Sequence, residues 1–428
     1  MFADLAAASQ TRFSRRRQGA IAPCSCQMRA TAYQCRMDLH QTYPGLEDLR
    51  AAAQRRLPEF VWEYLDSATG QEATKRRNRS ALDQIGFMPS ILHGEQEVAL
   101  NTRFMGRDLP LPFGIAPLGM SGLIWPDAEG HLARCAGAAG IPYSLSTVAS
   151  QSPEDLAPHL GPEAWFQLYP PKDETIRSDM LDRARRAGFS TLVLTVDVPV
   201  ASRRERQVRS GLTQPPRLTP RLLAQVVRKP RWALGMAHQH RHEGGMPHMR
   251  TLDKYVTENG GGLSSTAHIG YLLRTSPDWD YVKWLRDAWQ GSFVIKGVLR
   301  AEDAAPLEQI GVDALWVSNH AGRQFDAAPA SIEALPELRA TTQLPLIFDS
   351  GIEGGLDILR ALALGADFVM LGRAFHFALA ALGSGGPQHL IEILSKDLEA
   401  NMGQLGLQNL AELRKLKVRR LPALTGLP

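Results

Sequence analysis

The sequence predicts an eight-stranded α/β barrel, the (β/α)8 TIM fold, on three observations. Eight short apolar runs rich in Val, Ile and Phe recur between Phe113 and Arg373. Helix-like segments separate most of them, the alternation that a parallel sheet needs. Six of the runs end in polar or ionisable residues, which a barrel gathers at one mouth. A doubly wound open sheet is the alternative, but no Gly-rich dinucleotide fingerprint follows the first run.

The chain opens on residues that do not read as folded. Residues 1–36 carry six arginines against Asp4 alone and lack apolar periodicity, so the basic excess of the whole chain, +4, resides there. Cys24, Cys26 and Cys35 lie in the same stretch. Only Cys135 remains beyond it, which excludes a disulfide framework in the body and points to a reducing compartment. The segment reads as a disordered or transit-like extension, or as sequence upstream of a misassigned start, with Met37 as the natural opening. A zinc site would need a second half with ligand spacing, which is missing. Residues 37–428 read as one domain, a helical N-terminal segment followed by the barrel. A composition 44% hydrophobic and 21% charged supplies a core and excludes a disordered chain. No apolar stretch reaches the eighteen residues of a membrane span.

The runs are Phe113–Pro117, Pro142–Thr147, Trp165–Tyr169, Thr191–Asp197, Phe293–Val298, Ala314–Asn319, Pro345–Ser350 and Phe368–Arg373. The predicted helices include Ala128–Ala139, Thr175–Ala187, Ala301–Ile310, Ser331–Ala340 and Leu356–Leu364. Gln167 and Tyr169 end the third strand, Thr195 and Asp197 the fourth, and Lys296 the fifth. Ser318, Asn319 and His320 end the sixth, Asp349 and Ser350 the seventh, Gly372 and Arg373 the eighth. One such residue is an ordinary strand-end hydrogen bond; six polar strand ends together read as an active site. The turn Gly351-Ile352-Glu353-Gly354-Gly355 opens the seventh helix, where free N–H groups are expected to hold an anion. With Arg373 after strand eight it reads as the phosphate site usual in this fold.

In this order the residues resemble the FMN-dependent 2-hydroxy-acid dehydrogenases and oxidases, which include glycolate oxidase, L-lactate dehydrogenase and mandelate dehydrogenase. The likeness runs from Tyr43 to Leu407. It is carried by Leu57-Pro58 with Tyr64, Ile115-Ala116-Pro117, Leu145-Ser146-Thr147, Phe166-Gln167-Leu168-Tyr169, Leu194-Thr195-Val196-Asp197, Arg203-Arg204-Glu205, Ile295-Lys296-Gly297, Ser318-Asn319-His320 with Arg323-Gln324, and Leu371-Gly372-Arg373. The stretch Gly119–Pro126 looks most like the mandelate and lactate dehydrogenase branch.

The resemblance implies FMN as cofactor and oxidation of an L-2-hydroxy acid to the 2-oxo acid. It implies His320 as the base, Asp197 as its carboxylate partner and Tyr169 as a hydroxyl beside the substrate. Arg204 and Arg323, with Tyr64, become the substrate anchors, because a planar guanidinium pairs a carboxylate in two parallel bonds. Lys296 becomes the cation at the N1/O2 edge of the flavin ring. Pro117, Leu118, Gly119, Ser146, Gln167 and Thr195 are expected along the ring, Ser318 near the ribityl chain, and Asp349, Ser350, Gly351, Gly372 and Arg373 toward the phosphate. No metal is implied. Relatives imply a homotetramer.

Five positions depart from the family pattern. Glu353 stands where an arginine is usual and would repel a phosphate. Ala321 replaces a glycine after the base, a strained exchange if the backbone there has positive φ. Leu118 replaces a threonine beside the flavin, and Ser67-Ala68-Thr69 replaces Ser-Gly-Ala. Two more positions shape the substrate pocket: Val148 stands where glycolate oxidase has a Trp, and Leu65 where it has a Tyr. Both exchanges predict an acid larger than glycolate, unless the following loop refills the space.

The loop after strand four, residues 205–278, is long and basic. Between Arg217 and Lys254 eight Lys and Arg face only Glu243 and Asp253. Leu222, Leu223, Val226 and Val227 are expected on one helix face. The combination suits peripheral contact with an anionic membrane, or packing over the active site. No aromatic platform accompanies the charge, so nucleic acid is not an expected partner. The implied enzyme passes electrons to a quinone or similar acceptor. It is cytoplasmic or peripheral at the inner face of the cell membrane. An O₂-using oxidase releasing H₂O₂, a flavin barrel isomerase and a non-catalytic barrel are the competing readings.

Overall fold

The computed structural model describes residues 39–212, 219–243, 247–258 and 274–422. The chain divides into two units, Met1–Pro44 and Gly45–Pro428. The expected extension, residues 1–36, lies outside the described residues. In the larger unit eight parallel strands close into a barrel. They are β1 Phe113–Leu118, β2 Tyr143–Ser146, β3 Ala164–Leu168, β4 Thr191–Thr195, β5 Ser292–Val298, β6 Ala314–Val317, β7 Leu346–Phe348 and β8 Phe368–Leu371. Each pairs with its neighbours in chain order, and β8 closes on β1 through Leu371 and Ile115. Helices cover the outer faces and side chains fill the interior, so β3 and β4 are buried throughout. This is why the strands read as continuous apolar runs rather than alternating ones.

In the larger unit the helices α1 Leu46–Arg56, α2 Glu59–Asp66 and α3 Ala73–Asp83 precede the barrel. The outer helices include α4 Ala128–Ala139, α5 Glu174–Ala187, α6 Pro220–Val227, α7 Pro230–Glu243, α8 Trp279–Ala288, α9 Ala304–Ile310, α10 Ser331–Thr341, α11 Gly355–Ala363, α12 Arg373–Leu382 and α13 Gly386–Leu405. The five helices expected from the sequence stand within a few residues of their predicted bounds.

A two-stranded hairpin, Thr102–Phe104 paired with Arg107–Leu109, packs into the barrel interior. Its turn residues Met105 and Gly106 both have positive φ, the tight form that matches strand twist. Phe104 stacks on Phe368 at 4.8 Å and lies 6.3 Å from Trp165, which meets Trp316 edge-on at 6.3 Å. These rings fill the barrel with Val193, Val294 and Ile347.

The long segment after β4 folds back onto α2. The Gln225 side chain accepts from the Phe60 amide at 2.9 Å and donates to the Ser210 carbonyl at 3.0 Å. Trp232 meets Phe60 edge-on at 5.8 Å and donates to the Leu123 carbonyl at 2.8 Å. The expected apolar stripe is split. Leu222 is buried, whereas Leu223 and Val227 are 59% and 69% exposed. Docking through Gln225 turns the helix so that it buries Leu222, leaves Val226 half-buried at the chamber wall and exposes Leu223 and Val227.

Candidate active site

The strand register builds the mouth of the barrel. Ser146 pairs with Gln167, and Thr195 with Lys296. The Ser146 hydroxyl donates to Gln167 Oε1 at 2.8 Å, and Gln167 Nε2 donates to Thr195 Oγ1 at 2.9 Å. One polar row thus crosses three strands. Lys296 Nζ donates to Ser318 Oγ at 2.7 Å and pairs with Asp349 at 3.1 Å. The Ser350 hydroxyl donates to Asp349 at 2.7 Å and accepts the Ala321 amide at 3.0 Å. All these groups are largely buried, and each has its partners before any ligand arrives.

A chamber of about 1170 Å³ opens above this row. That exceeds the usual 300–1,000 Å³ of a small-ligand site and leaves room for a cofactor with a substrate. Of the site residues expected from the sequence, all but Asp197 and Ser318 line it. Those two stand behind the lining, holding His320 and Lys296.

His320 Nδ1 lies 3.0 and 3.2 Å from the two Asp197 oxygens. Asp197 can come this close because Gly297 has φ of +109°, and a Cβ there would lie 2.5 Å from the Asp197 Cβ. Burial lowers the His320 pKa, only partly opposed by Asp197. Burial would raise the Asp197 carboxyl, but its interaction with His320 and the Lys296 charge hold it below the usual carboxylate range. The pair therefore rests as a neutral imidazole on a carboxylate, with Nε2 left to face the chamber.

The loop that carries His320 is strained. His320, Ala321 and Gly322 have φ of 56°, 53° and 75°. The methyl of Ala321 therefore occupies a left-handed position, at about 1–2 kcal/mol for a non-glycine residue. Hydrogen bonds hold the turn in place. Asn319 exchanges amide bonds with Asn78 at 2.9 and 2.7 Å and accepts the Gly322 amide.

Two guanidiniums share the chamber. Arg323 donates to the Tyr64 and Leu65 carbonyls at 2.6 and 3.3 Å. Burial, and then the charge of Arg204, push its pKa down to about 9. Arg204 sits at φ 47° after β4 and donates from Nε to Ser202. The Tyr64 hydroxyl donates to the Gly119 carbonyl at 2.9 Å. Tyr169 is pushed up to about 12 by burial and the Asp197 charge, so its hydroxyl keeps its proton.

The phosphate-like turn differs in part from the sequence expectation. The amides of Gly355 and Leu356 donate to Asp397 on α13, and the Glu353 amide donates to Asp357. Carboxylates have already taken these helix-start donors, so they are not open to an anion. Arg373 is half-buried at the same end, donating to the Asp66 carbonyl at 3.1 Å.

Some residues of the site were not expected. Asp66 receives Arg50, Lys75 and Arg206 at 3.1, 2.9 and 3.2 Å, joining α1, α3 and the segment after β4. Its position one residue after Leu65 was the only sequence signal. Arg274 lies 5.0 Å over the Tyr169 ring and lines the chamber. His376 also lines it, is held near pKa 3 by burial, and shares a 2.9 Å hydrogen bond with Ser121.

The donor row of Ser146, Gln167, Thr195 and Lys296 fits the polar edge of a flavin ring, and the cations at the far end fit its phosphate. Comparison with known proteins agrees. The family model described as FMN-dependent dehydrogenase matches residues 53–420. An L-lactate dehydrogenase of Pseudomonas paraeruginosa is 39% identical over 371 residues, 86% of this chain and 95% of the relative. One of Stenotrophomonas maltophilia is 38% identical over 380 residues, covering 88% and 98%. A crystal structure of the monotopic membrane protein (S)-mandelate dehydrogenase superposes with a TM-score of 0.77 at 33% identity, covering 87% of this chain and 98% of that one. A mandelate oxidase structure gives 0.74 at 32% identity, covering 89% and 99%. A barrel of this order, with this row of donors at its mouth, belongs to the FMN-dependent dehydrogenases, and the chain is an oxidoreductase of their α-hydroxy-acid branch.

Proposed function

We propose that the protein oxidises an L-2-hydroxy acid with an apolar side chain larger than a hydrogen, and passes the electrons to a quinone. One observation carries the reading: two mutually repelling guanidiniums, Arg204 and Arg323, share a chamber with the neutral His320 imidazole held on the Asp197 carboxylate. The cations call for a carboxylate, and the imidazole calls for a proton to accept.

FMN, when bound, supplies the two-electron acceptor for the substrate. Arg204 and Arg323 hold the substrate carboxylate, with Tyr64 at its side. His320 Nε2 takes a proton from the substrate, and Asp197 stabilises the imidazolium that forms, as a carboxylate does behind a catalytic histidine. The Tyr169 hydroxyl remains a donor beside the reacting carbon. Lys296, fixed by Ser318 and Asp349, places a cation where negative charge develops on the flavin ring.

His320 must be neutral to accept a proton, so kcat/KM rises as pH rises through its free-enzyme pKa. Burial lowers that pKa, so the acid limb is expected below the ordinary imidazole value of about 6.5. Asp197→Asn removes the main cause that raises it, and should move the limb to still lower pH while reducing the plateau. A limb above 6.5, or one that Asp197→Asn shifts upward, would contradict the assignment.

Val148 and Leu65 line the chamber, and the wall continues through Leu222, Trp232 and Met236. The segment after β4 thus adds apolar surface. At about 0.8 kcal/mol per buried CH₂, a longer or aromatic acid is expected to exceed glycolate at least about tenfold in kcat/KM. Mandelate, 2-hydroxyoctanoate, lactate and glycolate are to be compared; glycolate as the best of the four would refute the apolar reading.

The quinone reading is supported by exposed Leu223, Val227 and Leu234 beside Arg221, Arg228, Lys229 and Arg231. Apolar tips among cations suit an anionic bilayer, where quinones reside. Among the described residues no helix is long and apolar enough to cross a membrane. The holoenzyme should sediment with anionic vesicles and reduce the quinone they carry. Rapid peroxide formation in air with no quinone reduction would favour an oxidase instead.

A further inference from the structure

The end of the chamber at Arg373 is lined by Arg50, Lys75, Arg76, Arg79 and Glu353. The Glu353, Gly355 and Leu356 amides at the start of α11 are taken by Asp357 and Asp397, which raises the share of an anion's binding that falls to side chains. Most of these cations are already occupied. Arg79 pairs with Asp357 and Asp83 and donates to the Gly351 carbonyl. Lys75 donates to the carbonyl and the carboxylate of Asp66. Arg50 is less committed, with one contact to Asp66 at 3.1 Å and one to exposed Glu47 at 3.4 Å. Among the described residues Glu353 has one ion pair, a long one of 4.0 Å to Arg79, and its side chain is 55% exposed.

We propose that Arg50 of α1 and Arg373 of α12 hold the FMN phosphate together, and that the Glu353 carboxylate competes with the phosphate for them. The proposal rests on the FMN dependence of the family and not on the choice of substrate or acceptor. Glu353 feels the charges of Arg79 on α3, Arg50 on α1 and Arg373 on α12, and is opposed by Asp357 on α11. A carboxylate among these cations neutralises what a phosphate would otherwise meet. Partial burial raises the Glu353 pKa. Its competition should therefore fade as pH falls and the carboxyl takes a proton. The result is a cofactor site whose affinity is held down by one acidic side chain.

The test is FMN release from the diluted holoenzyme, read from the fluorescence of free flavin across a pH series. Riboflavin binding to the full chain after FMN removal serves as the phosphate-free control. Glu353→Gln should tighten FMN about tenfold at alkaline pH, with the gap from the unmodified protein closing toward acid pH. Arg50→Gln should weaken FMN about tenfold. Neither change should alter riboflavin affinity. The proposal fails if Glu353→Gln binds FMN no more tightly at alkaline pH. It also fails if Arg50→Gln weakens FMN and riboflavin alike, which would make Arg50 a residue of the fold. Should Arg50→Gln not fold, Glu353→Gln decides alone, because its half-exposed side chain makes no close ion pair.

Discussion

Replacing His320 with Gln is expected to leave FMN bound and to slow flavin reduction by about 10³–10⁴-fold. His320 lines the chamber and rests on Asp197, while Ser146, Gln167 and Thr195 are hydrogen-bonded to one another along the polar row. Glutamine can keep a hydrogen bond to Asp197 but cannot accept a proton at neutral pH. The change thus separates proton abstraction from cofactor retention. Rapid mixing with a 2-hydroxy acid under anaerobic conditions reads the rate directly. Reduction within a few-fold of the unmodified protein would remove His320 from the role of base, while loss of the yellow colour would place it in cofactor binding instead.

Arg323→Met carries the second large effect. The guanidinium is buried, held by the carbonyls of Tyr64 and Leu65, and faces Arg204 in the same chamber. Removing one partner of a buried charge pair costs about 2–5 kcal/mol. A fall of roughly 10²–10³ in kcat/KM is expected, carried mainly by KM because the carboxylate is bound in ground and transition states alike. Arg204 should gain no compensating role, since one fork cannot supply both pairs of bonds. A fall in kcat with unchanged KM would mean that Arg323 acts on the reacting atoms rather than on the substrate's anchor.

The strands were legible because a barrel buries both faces of its sheet, so each strand is a short unbroken apolar run ending where the mouth begins. Lys296 and Tyr169 were visible as polar ends of such runs. The position of Ala321 could be named as a question of φ, and the backbone answers it at 53°. What could not be read lies in contacts between distant segments. Nothing in Gly351–Gly355 reveals that Asp397, on a helix some forty residues onward, takes its amides. The Phe104 hairpin carries no mark of its place inside the barrel. The split of Leu222 from Leu223 follows from the docking of Gln225 on Phe60, a contact across 165 positions. Arg274 follows the long segment after β4 and reaches Tyr169 only through the fold.

The central claim is that the chamber takes a hydrogen pair from a 2-hydroxy acid onto bound FMN. The purified yellow protein mixed anaerobically with mandelate, 2-hydroxyoctanoate or lactate tests it most directly. The flavin absorbance should bleach with one equivalent of acid, and one equivalent of the 2-oxo acid should appear. A flavin that remains oxidised with every 2-hydroxy acid, though dithionite reduces it, would contradict the account.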